Sequence, residues 1–306
     1  MLLKQLLELY EILDSPKANG AQVREYLLNI DPQAQISVYP LVGPKGHTDM
    51  VKIYIPGTKK DAPTLGILGR LGGLGARPER IGFVSDGDGA LAALTVAAKL
   101  LDMRKKGDAL EGNILISTHV CPDAPVRPHH PVPFMDSPVE TYQVNQEEVS
   151  DDLDAILSVD TTKGNRIMNH RGIAITPTVK EGYLLPVSDD LMDIMEITTG
   201  KLPQVLALST YDITPYGNDL YHLNSILQPS TASKAPTVGV AIVTETAVPG
   251  CATGASHYAD VEEAARFLLE VAKAFTAGQC QFYDKEMYES ALQRYGTLSH
   301  LQTMGL

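Results

Sequence analysis

The apolar positions of this chain follow two periods, one typical of helices and one typical of strands. Helical spacing is clearest in residues 90–102 (ALAALTVAAKLLD) and 259–275 (ADVEEAARFLLEVAKAF), where the apolar residues lie on one face. Between such helical segments lie short apolar runs of the kind found in buried strands. These runs are residues 50–55, 64–69, 113–118, 154–160 and 237–243.

Strands that alternate with helices predict an α/β fold with three layers, in which helices cover both faces of a mixed, mostly parallel sheet. Weaker patterns predict strands at 34–41, 166–179 (as a strand or a hairpin) and 204–209, and helices at 1–16, 21–30, 188–200 and 284–295. In such folds, binding sites lie at the carboxyl ends of the parallel strands. Residues that directly follow the strands are therefore the first candidates for chemistry.

We expect one domain over residues 1–306, with residues 1–32 as an N-terminal helical extension that forms a lid or an oligomer contact. We also expect a homo-oligomer. Residues 119–137 hold five prolines and three histidines. That composition predicts a long irregular loop, which in a compact domain usually serves function.

The charge of the chain limits the classes of partner that it can bind, and its cysteine content bears on disulfide bonding. The net charge of −12 and a pI near 5.1 exclude nucleic acid and anionic membrane as partners, because both demand a basic surface. Three widely spaced cysteines argue against a disulfide framework. Lys4 interrupts the first apolar segment, which favours a helix over a signal peptide. We therefore expect a cytoplasmic protein with a small-molecule or short-peptide ligand.

Ionisable residues follow several of the predicted strands. Arg70 follows residues 64–69, His119 and Asp123 follow residues 113–118, and Asp160 ends residues 154–160. Asp86 and Asp88 stand just before the alanine-rich helix, where a carboxylate is also an ordinary helix cap. Two loop residues, His257 and Asp219, are further candidates. Mixed carboxylate and imidazole sets bind zinc or manganese, and two such ions can activate water for amide hydrolysis.

The order of these strands, acidic residues and late histidine resembles the co-catalytic zinc aminopeptidases over about residues 48–275. The chain is also similar to a bacterial family known only as a domain of unknown function. The resemblance implies a zinc-exopeptidase-like fold. It further implies that Asp86 bridges two metal ions, that Asp160 and His257 each bind one, and that the turn at Asp219 lines the substrate site.

Two positions depart from the family pattern. Arg70-Leu71-Gly72 stands where the family has His-x-Asp, and Pro122-Asp123 stands where it has two glutamates, so the general base is unassigned. Replacement groups could come from the proline-rich loop, which holds His119, Cys121, His129 and His130. The alternative is that His129 and His130 only cap an exposed lid. Arg70 would either attract an anionic group of the ligand or pair with Asp86 or Asp160.

Two hypotheses follow. The first is a metal-dependent hydrolase of the aminopeptidase or amidohydrolase type that acts on a small peptide or amide. Zinc, manganese or cobalt would be held as one or two ions, and Arg70, Asp219, His129 and His130 would contact substrate; the metal ligands would be Asp86, Asp123, Asp160 and His257. The second is a catalytically degenerate member of the fold that, without any metal, binds a small acidic ligand or itself acts as an assembly partner.

Overall fold

The computed structural model describes residues 2–70, 82–128, 134–246 and 256–304. Within these residues a central sheet of nine strands has the order β1-β2-β4-β3-β7-β11-β9-β10, with β8 also paired to β11, and β5 and β6 form a separate hairpin. The strands are β1 Gln35–Gly43, β2 Gly46–Ile55, β3 Leu65–Gly69, β4 Ile114–Val120, β5 Val126–Arg127, β6 Phe134–Met135, β7 Ala155–Thr162, β8 Gly172–Ile175, β9 Thr178–Lys180, β10 Tyr183–Leu185 and β11 Thr237–Val243.

Seven α-helices connect and cover the described strands. They are α1 Leu2–Leu13, α2 Gly20–Ile30, α3 Asp88–Lys105, α4 Thr141–Glu148, α5 Asp189–Thr199, α6 Tyr258–Thr276 and α7 Lys285–Tyr295. The four central strands β3, β4, β7 and β11 run parallel, whereas β1, β2, β8, β9 and β10 pair antiparallel with their neighbours. The predicted mixed, mostly parallel α/β sheet is therefore confirmed.

The sheet buries different groups on its two faces because successive side chains of a strand point to opposite sides. On the first face, Leu157 and Val159 of β7 join a large core built with α1, α2, α3, α5 and α6. On the second face, Ile156 of β7 packs with Leu68 of β3 in a smaller core, and α4 lies over this side. Every second residue of β7 counted from Ile156, and of β3 counted from Leu68, thus points to the second face.

Helix α1 is an integral part of the core. Leu6, Leu9 and Leu13 are fully buried, and the helix packs on α3 and α6. The apolar face of α1 is thus used within the chain, which corrects our expectation of a lid. An additional contact between chains stays a prediction.

Four segments differ from the sequence-based elements. Residues 204–209 do not form a strand, since only Val205 forms a bridge, to Ile175. The proline-rich segment is not wholly irregular, since β4 continues to Val120 and β5 pairs with β6. Helix α4 and strand β10 were not predicted. Across the described ranges, no helix is both long and apolar enough to cross a membrane.

Candidate functional site

A cleft of about 1000 Å³ opens at the carboxyl ends of the central strands, on the second face of the sheet. Its buried lining includes Asp86, His119, Cys121 and Asp160, and its outer wall is formed largely by residues 163–168 and 221–226. Ligand sites of α/β folds lie at this edge because the loops that follow parallel strands meet there. The cleft is therefore the candidate functional site.

Strand alternation explains which side chains meet at this edge. Arg70 lies two residues after Leu68, and Asp160 lies four residues after Ile156, so both point to the second face. His119 has the same parity as Leu115, which also belongs to that face. A guanidinium, an imidazole and a carboxylate from three adjacent strands thus point to the same face at the same edge of the sheet.

Asp86 reaches the cleft from the start of α3. Residues 85–87 form a 3-10 turn that leads directly into the helix. Gly89, in the first turn of α3, permits the helix to approach β7 closely, because a Cβ there would lie 2.3 Å from the carbonyl oxygen of Val159. Any larger residue would push α3 away from the sheet. The glycine therefore keeps Asp86 at the same cleft as Asp160, and both carboxylates are 2% exposed.

Both carboxylate oxygens of Asp160 accept hydrogen bonds. The hydroxyl of Ser225 donates to Oδ2 at 2.7 Å, and the backbone N–H of Thr161 donates to Oδ1 at 2.8 Å. Burial raises the pKa of Asp160 to about 6, although these hydrogen bonds and the charge of Arg70 oppose the rise. At pH 7 the Asp160 side chain is therefore mostly ionised, and it becomes protonated as the pH falls through about 6.

Arg70 is buried in an ion pair beneath the cleft. Its Nη1 donates to a carboxylate oxygen of Glu148 and, at 3.0 Å, to the side-chain oxygen of Asn145. Both ends of the ion pair are only 1% exposed. Arg70 is not part of the cleft lining, and it pairs with a residue of α4 instead of Asp86 or Asp160. Its role as a direct contact for a ligand carboxylate stays a prediction.

His119 and Cys121 line the cleft at the end of β4 in their neutral forms. Burial, together with the positive charge of Arg70, lowers the pKa of His119 to about 4. Its Nδ1 is 2.8 Å from the hydroxyl of Thr48. Burial raises the pKa of the Cys121 thiol to about 11, so the thiolate form is disfavoured.

Asp88 is buried beside the cleft and does not line it. The hydroxyl of Ser256, just before α6, donates to its Oδ1 at 2.5 Å. Burial raises the pKa of Asp88 to about 8, and the neighbouring carboxylates of Asp86 and Asp260 add to the rise. This contact joins the start of α3 to the start of α6.

The remaining predicted site residues are not gathered at the cleft. Asp123 lies in the exposed turn after β4, Asp219 is exposed with a φ of 60°, and His257 is an exposed N-cap of α6. None of these three belongs to the cleft lining. His129 and His130 lie outside the described residues. The structure thus unites Asp86 and Asp160, with His119 and Cys121 as further members.

Several residues of the site were missed at the sequence level. Glu148 and Asn145 belong to α4, whose sequence TYQVNQEE is polar on most sides and has no motif. Ser225 comes from the outer wall of the cleft, and its position depends on tertiary contacts. Only the position of Glu148 shortly before a buried strand could have drawn attention to it.

The aminopeptidase resemblance implies metal ions, and the donor set can be tested for them. Among the residues that the structure describes, no group of three or more His, Cys, Asp or Glu side chains could hold a metal ion. A guanidinium also stands at the end of β3, where the resemblance places a histidine ligand. The described side chains therefore do not fit a two-metal centre.

The charge of the cleft changes from its floor to its mouth. The buried part holds the carboxylates of Asp86 and Asp160. The more exposed lining includes Arg127, Lys163 and Arg166, together with one carboxylate, Asp136, which forms an ion pair with Lys45. An acidic interior with a basic mouth favours a dipolar ligand, whose ammonium group would lie at the floor of the cleft and whose carboxylate would lie at the mouth.

Comparison with solved structures shows the fold. The chain matches a leucine aminopeptidase from Caenorhabditis elegans at a TM-score of 0.56 with 11% identity, over 90% of this chain and 66% of that one. A tomato leucine aminopeptidase mutant matches at 0.53 with 12% identity, over 87% and 60%. The cytosol aminopeptidase from Coxiella burnetii matches at 0.50 with 12% identity, over 89% and 68%.

Identities this low establish the shared fold alone, and the chain spans just under two thirds of the first of these enzymes. No curated protein sequence matches the chain. A family model described as "Protein of unknown function (DUF1177)" matches residues 41–305. The predicted resemblance to an aminopeptidase fold and to a family of unknown function is thus confirmed. The chain belongs to the DUF1177 family of proteins of unknown function.

Proposed function

We propose that the cleft binds a short peptide or amide that carries both an amine and a carboxylate. The observation that carries this proposal is the charge distribution of the lining, with Asp86 and Asp160 buried and Arg127, Lys163 and Arg166 toward solvent. The ammonium group of the ligand would face the acidic floor, and its carboxylate would face the basic mouth. Specific polar groups at the two ends of a concave site are what fixes the orientation of a small ligand.

The size of the cleft agrees with such a ligand. A volume of about 1000 Å³ lies at the upper end of small-molecule sites. A dipeptide in extended form spans roughly 7 Å, so it can reach from the floor toward the mouth. Apolar residues of the lining, among them Met168, Leu206 and Ile226, would contact the aliphatic parts of the ligand.

The test is isothermal titration calorimetry with two matched probes, alanyl-glutamate and alanyl-glutamine, in buffer with a chelator. We expect alanyl-glutamate to bind more tightly, because its extra carboxylate meets the basic mouth. Arg166→Gln should weaken its binding about tenfold and reduce the difference between the probes. Arg294→Gln removes an exposed arginine of α7 and should leave both affinities unchanged. Equal affinities in wild type, or no binding of either probe, would contradict the proposal.

A second candidate function is hydrolysis of the same ligand by a metal-dependent peptidase-type enzyme. It is favoured by one observation, namely that Asp86 and Asp160, the carboxylates that the resemblance assigns to metal, line the same cleft as His119 and Cys121. The assay is mass spectrometry of the two dipeptides incubated with the protein plus zinc or manganese chloride. Free alanine that appears with metal, and is lost in Asp86→Ala, would establish this activity.

A further inference from the structure

Arg70 holds a fixed positive charge at a point that the aminopeptidase resemblance reserves for a metal ligand. It is the residue directly after β3, its N–H donates to the carbonyl oxygen of Val159 at 2.8 Å, and Asp160 is the next residue of β7. Both side chains point to the second face of the sheet, so they are neighbours across adjacent strands. Arg70 and Asp160, which the resemblance assigns to metal binding, therefore occupy neighbouring positions of adjacent strands, and the guanidinium forms its ion pair with Glu148.

The field of this guanidinium reaches the titratable groups around the cleft floor. It opposes the rise in pKa that burial imposes on Asp160 and Glu148, and it adds to the depression of the pKa of His119. A positive charge favours ionised carboxylates and a neutral imidazole. The charge of Arg70 thus acts on these groups in the same direction as a bound cation would.

The partner of Arg70 is held rigidly from outside the cleft. Glu148 ends α4, and the preceding residue, Glu147, accepts the hydroxyl of Tyr39 at 2.7 Å and offers its carbonyl oxygen to Lys52 at 2.7 Å. Asn145, which also accepts from Arg70, donates to Thr231 at 3.4 Å. A buried ion pair needs such support, because either charge alone would be costly.

We propose that Arg70, locked by Glu148 and Asn145, is a protein-borne cation that takes the place of a metal ion at the end of β3. A guanidinium has no lone pair with which to bind a metal, and it stays protonated at all physiological pH values. Its positive charge also opposes a divalent ion nearby, although the paired Glu148 carboxylate reduces this repulsion. The DUF1177 chain would then keep the carboxylates of the aminopeptidase site and stabilise them by an internal charge. This inference does not depend on which ligand the cleft binds.

The first test is equilibrium dialysis of the full chain against zinc or manganese chloride, followed by elemental analysis. We expect wild-type protein to retain no more metal than the Asp160→Ala variant. About one equivalent in wild type that Asp160→Ala removes would overturn the proposal. This measurement is independent of ligand binding. The Arg70 proposal can therefore be wrong while the proposed function is right, and the proposed function can be wrong while the Arg70 proposal is right.

The second test is a gain of metal binding. Arg70→His removes the repelling charge and supplies an imidazole beside Asp160, and we expect it to bind about one equivalent of zinc that the wild type does not bind. Arg70→Lys, which keeps the positive charge, is the matched control and should stay without zinc. A folded Arg70→His protein that gains no zinc would show that the arginine is not what replaces the metal.

Arg70→His leaves Glu148 without its partner, so the variant could fail to fold. In that case the Arg70→His/Glu148→Gln double variant, which removes both charges together, is dialysed in the same way. Circular dichroism identifies which proteins are folded before metal is measured. If neither variant folds, the wild-type dialysis alone decides between the two outcomes.

Discussion

Single buried residues hold the wall of the cleft in place, and Asp212 is the clearest case. It is fully buried, and it accepts hydrogen bonds from the N–H and hydroxyl of Ser209, and from the N–H groups of Leu223 and Asn224 at 2.7 and 2.9 Å. A carboxylate can accept all four, since both of its oxygens are acceptors. Asp212 thereby fixes the segment that carries Ser225 to Asp160.

We predict that Asp212→Asn is strongly destabilising. Its amide group would direct N–H donors at backbone N–H groups, so buried donors would lose their acceptor, at a cost of about 2–4 kcal/mol. The free energy of unfolding in urea measures this loss. Asp219→Asn, at an exposed position of the same loop, is the control and should change stability by less than about 0.5 kcal/mol. Similar values for the two variants would contradict the assigned role.

The buried His119 leads to a prediction of how the stability of the protein depends on pH. Its pKa is lowered to about 4 in the folded protein, chiefly by burial and then by Arg70, so between roughly pH 6.5 and 4 the unfolded chain binds more protons there. The stability that the neutral imidazole contributes is present above about pH 6.5 and is lost as the pH falls toward 4. Asp160, whose raised pKa acts in the opposite direction, is present in both proteins and largely cancels in a comparison.

The measurement compares wild type with His119→Gln by urea unfolding at a series of pH values. Below about pH 6 the wild type should lose stability more steeply than the variant, by about 1 kcal/mol per pH unit. His300→Gln, at an exposed residue near the chain end, should follow the wild-type curve. Parallel curves for wild type and His119→Gln would mean that the imidazole is not buried as described.

At the scale of elements, the contact between α3 and the sheet decides whether the cleft forms. Gly89→Ala would place a Cβ 2.3 Å from the carbonyl oxygen of Val159, which is rigid backbone, so α3 must shift. We predict a loss of about 3 kcal/mol or more in the free energy of unfolding. Gly66→Ala in β3 meets the flexible end of Leu153 at 2.8 Å, and it should cost less. An equal or smaller loss for Gly89→Ala would contradict this packing.

Elements whose apolar residues follow a clear period could be predicted from the sequence, whereas elements with a weak apolar pattern could not. Strands β3, β4, β7 and β11 are unbroken buried runs, and α6 has a clear apolar face. Helix α4 was missed because its eight residues are mostly polar, so its position depends on Tyr39, Lys52 and Arg70 from elsewhere in the chain.

The same distinction applies to the site. The place of Asp86 and Asp160 at the cleft could be predicted because each adjoins a strongly patterned element, and the path of the sheet brings these elements together. Their role as metal ligands stays a prediction. Asp123, Asp219 and His257 lie in loops, whose course is set by contacts that no local pattern reports. The ion pair of Arg70 with Glu148 likewise joins residues 78 positions apart.

At the scale of the whole molecule, an aminopeptidase-like fold carries a cleft with an acidic floor and a basic mouth, and a guanidinium lies buried beneath the floor. On the proposed function, charge complementarity would select a dipolar peptide or amide without a divalent ion. The acidic surface implied by the net charge of −12 makes a basic mouth a local feature, so the ligand is drawn to this place by nearby residues and not by the field of the whole protein.

The most direct measurement is calorimetric titration of alanyl-glutamate into the purified full chain, once with chelator and once with added zinc chloride. Our prediction is saturable binding of about one molecule per chain in the chelator, with an affinity that zinc does not improve. No binding in the chelator, or binding that appears only when zinc is added, would contradict it and would favour the metal-dependent hydrolase.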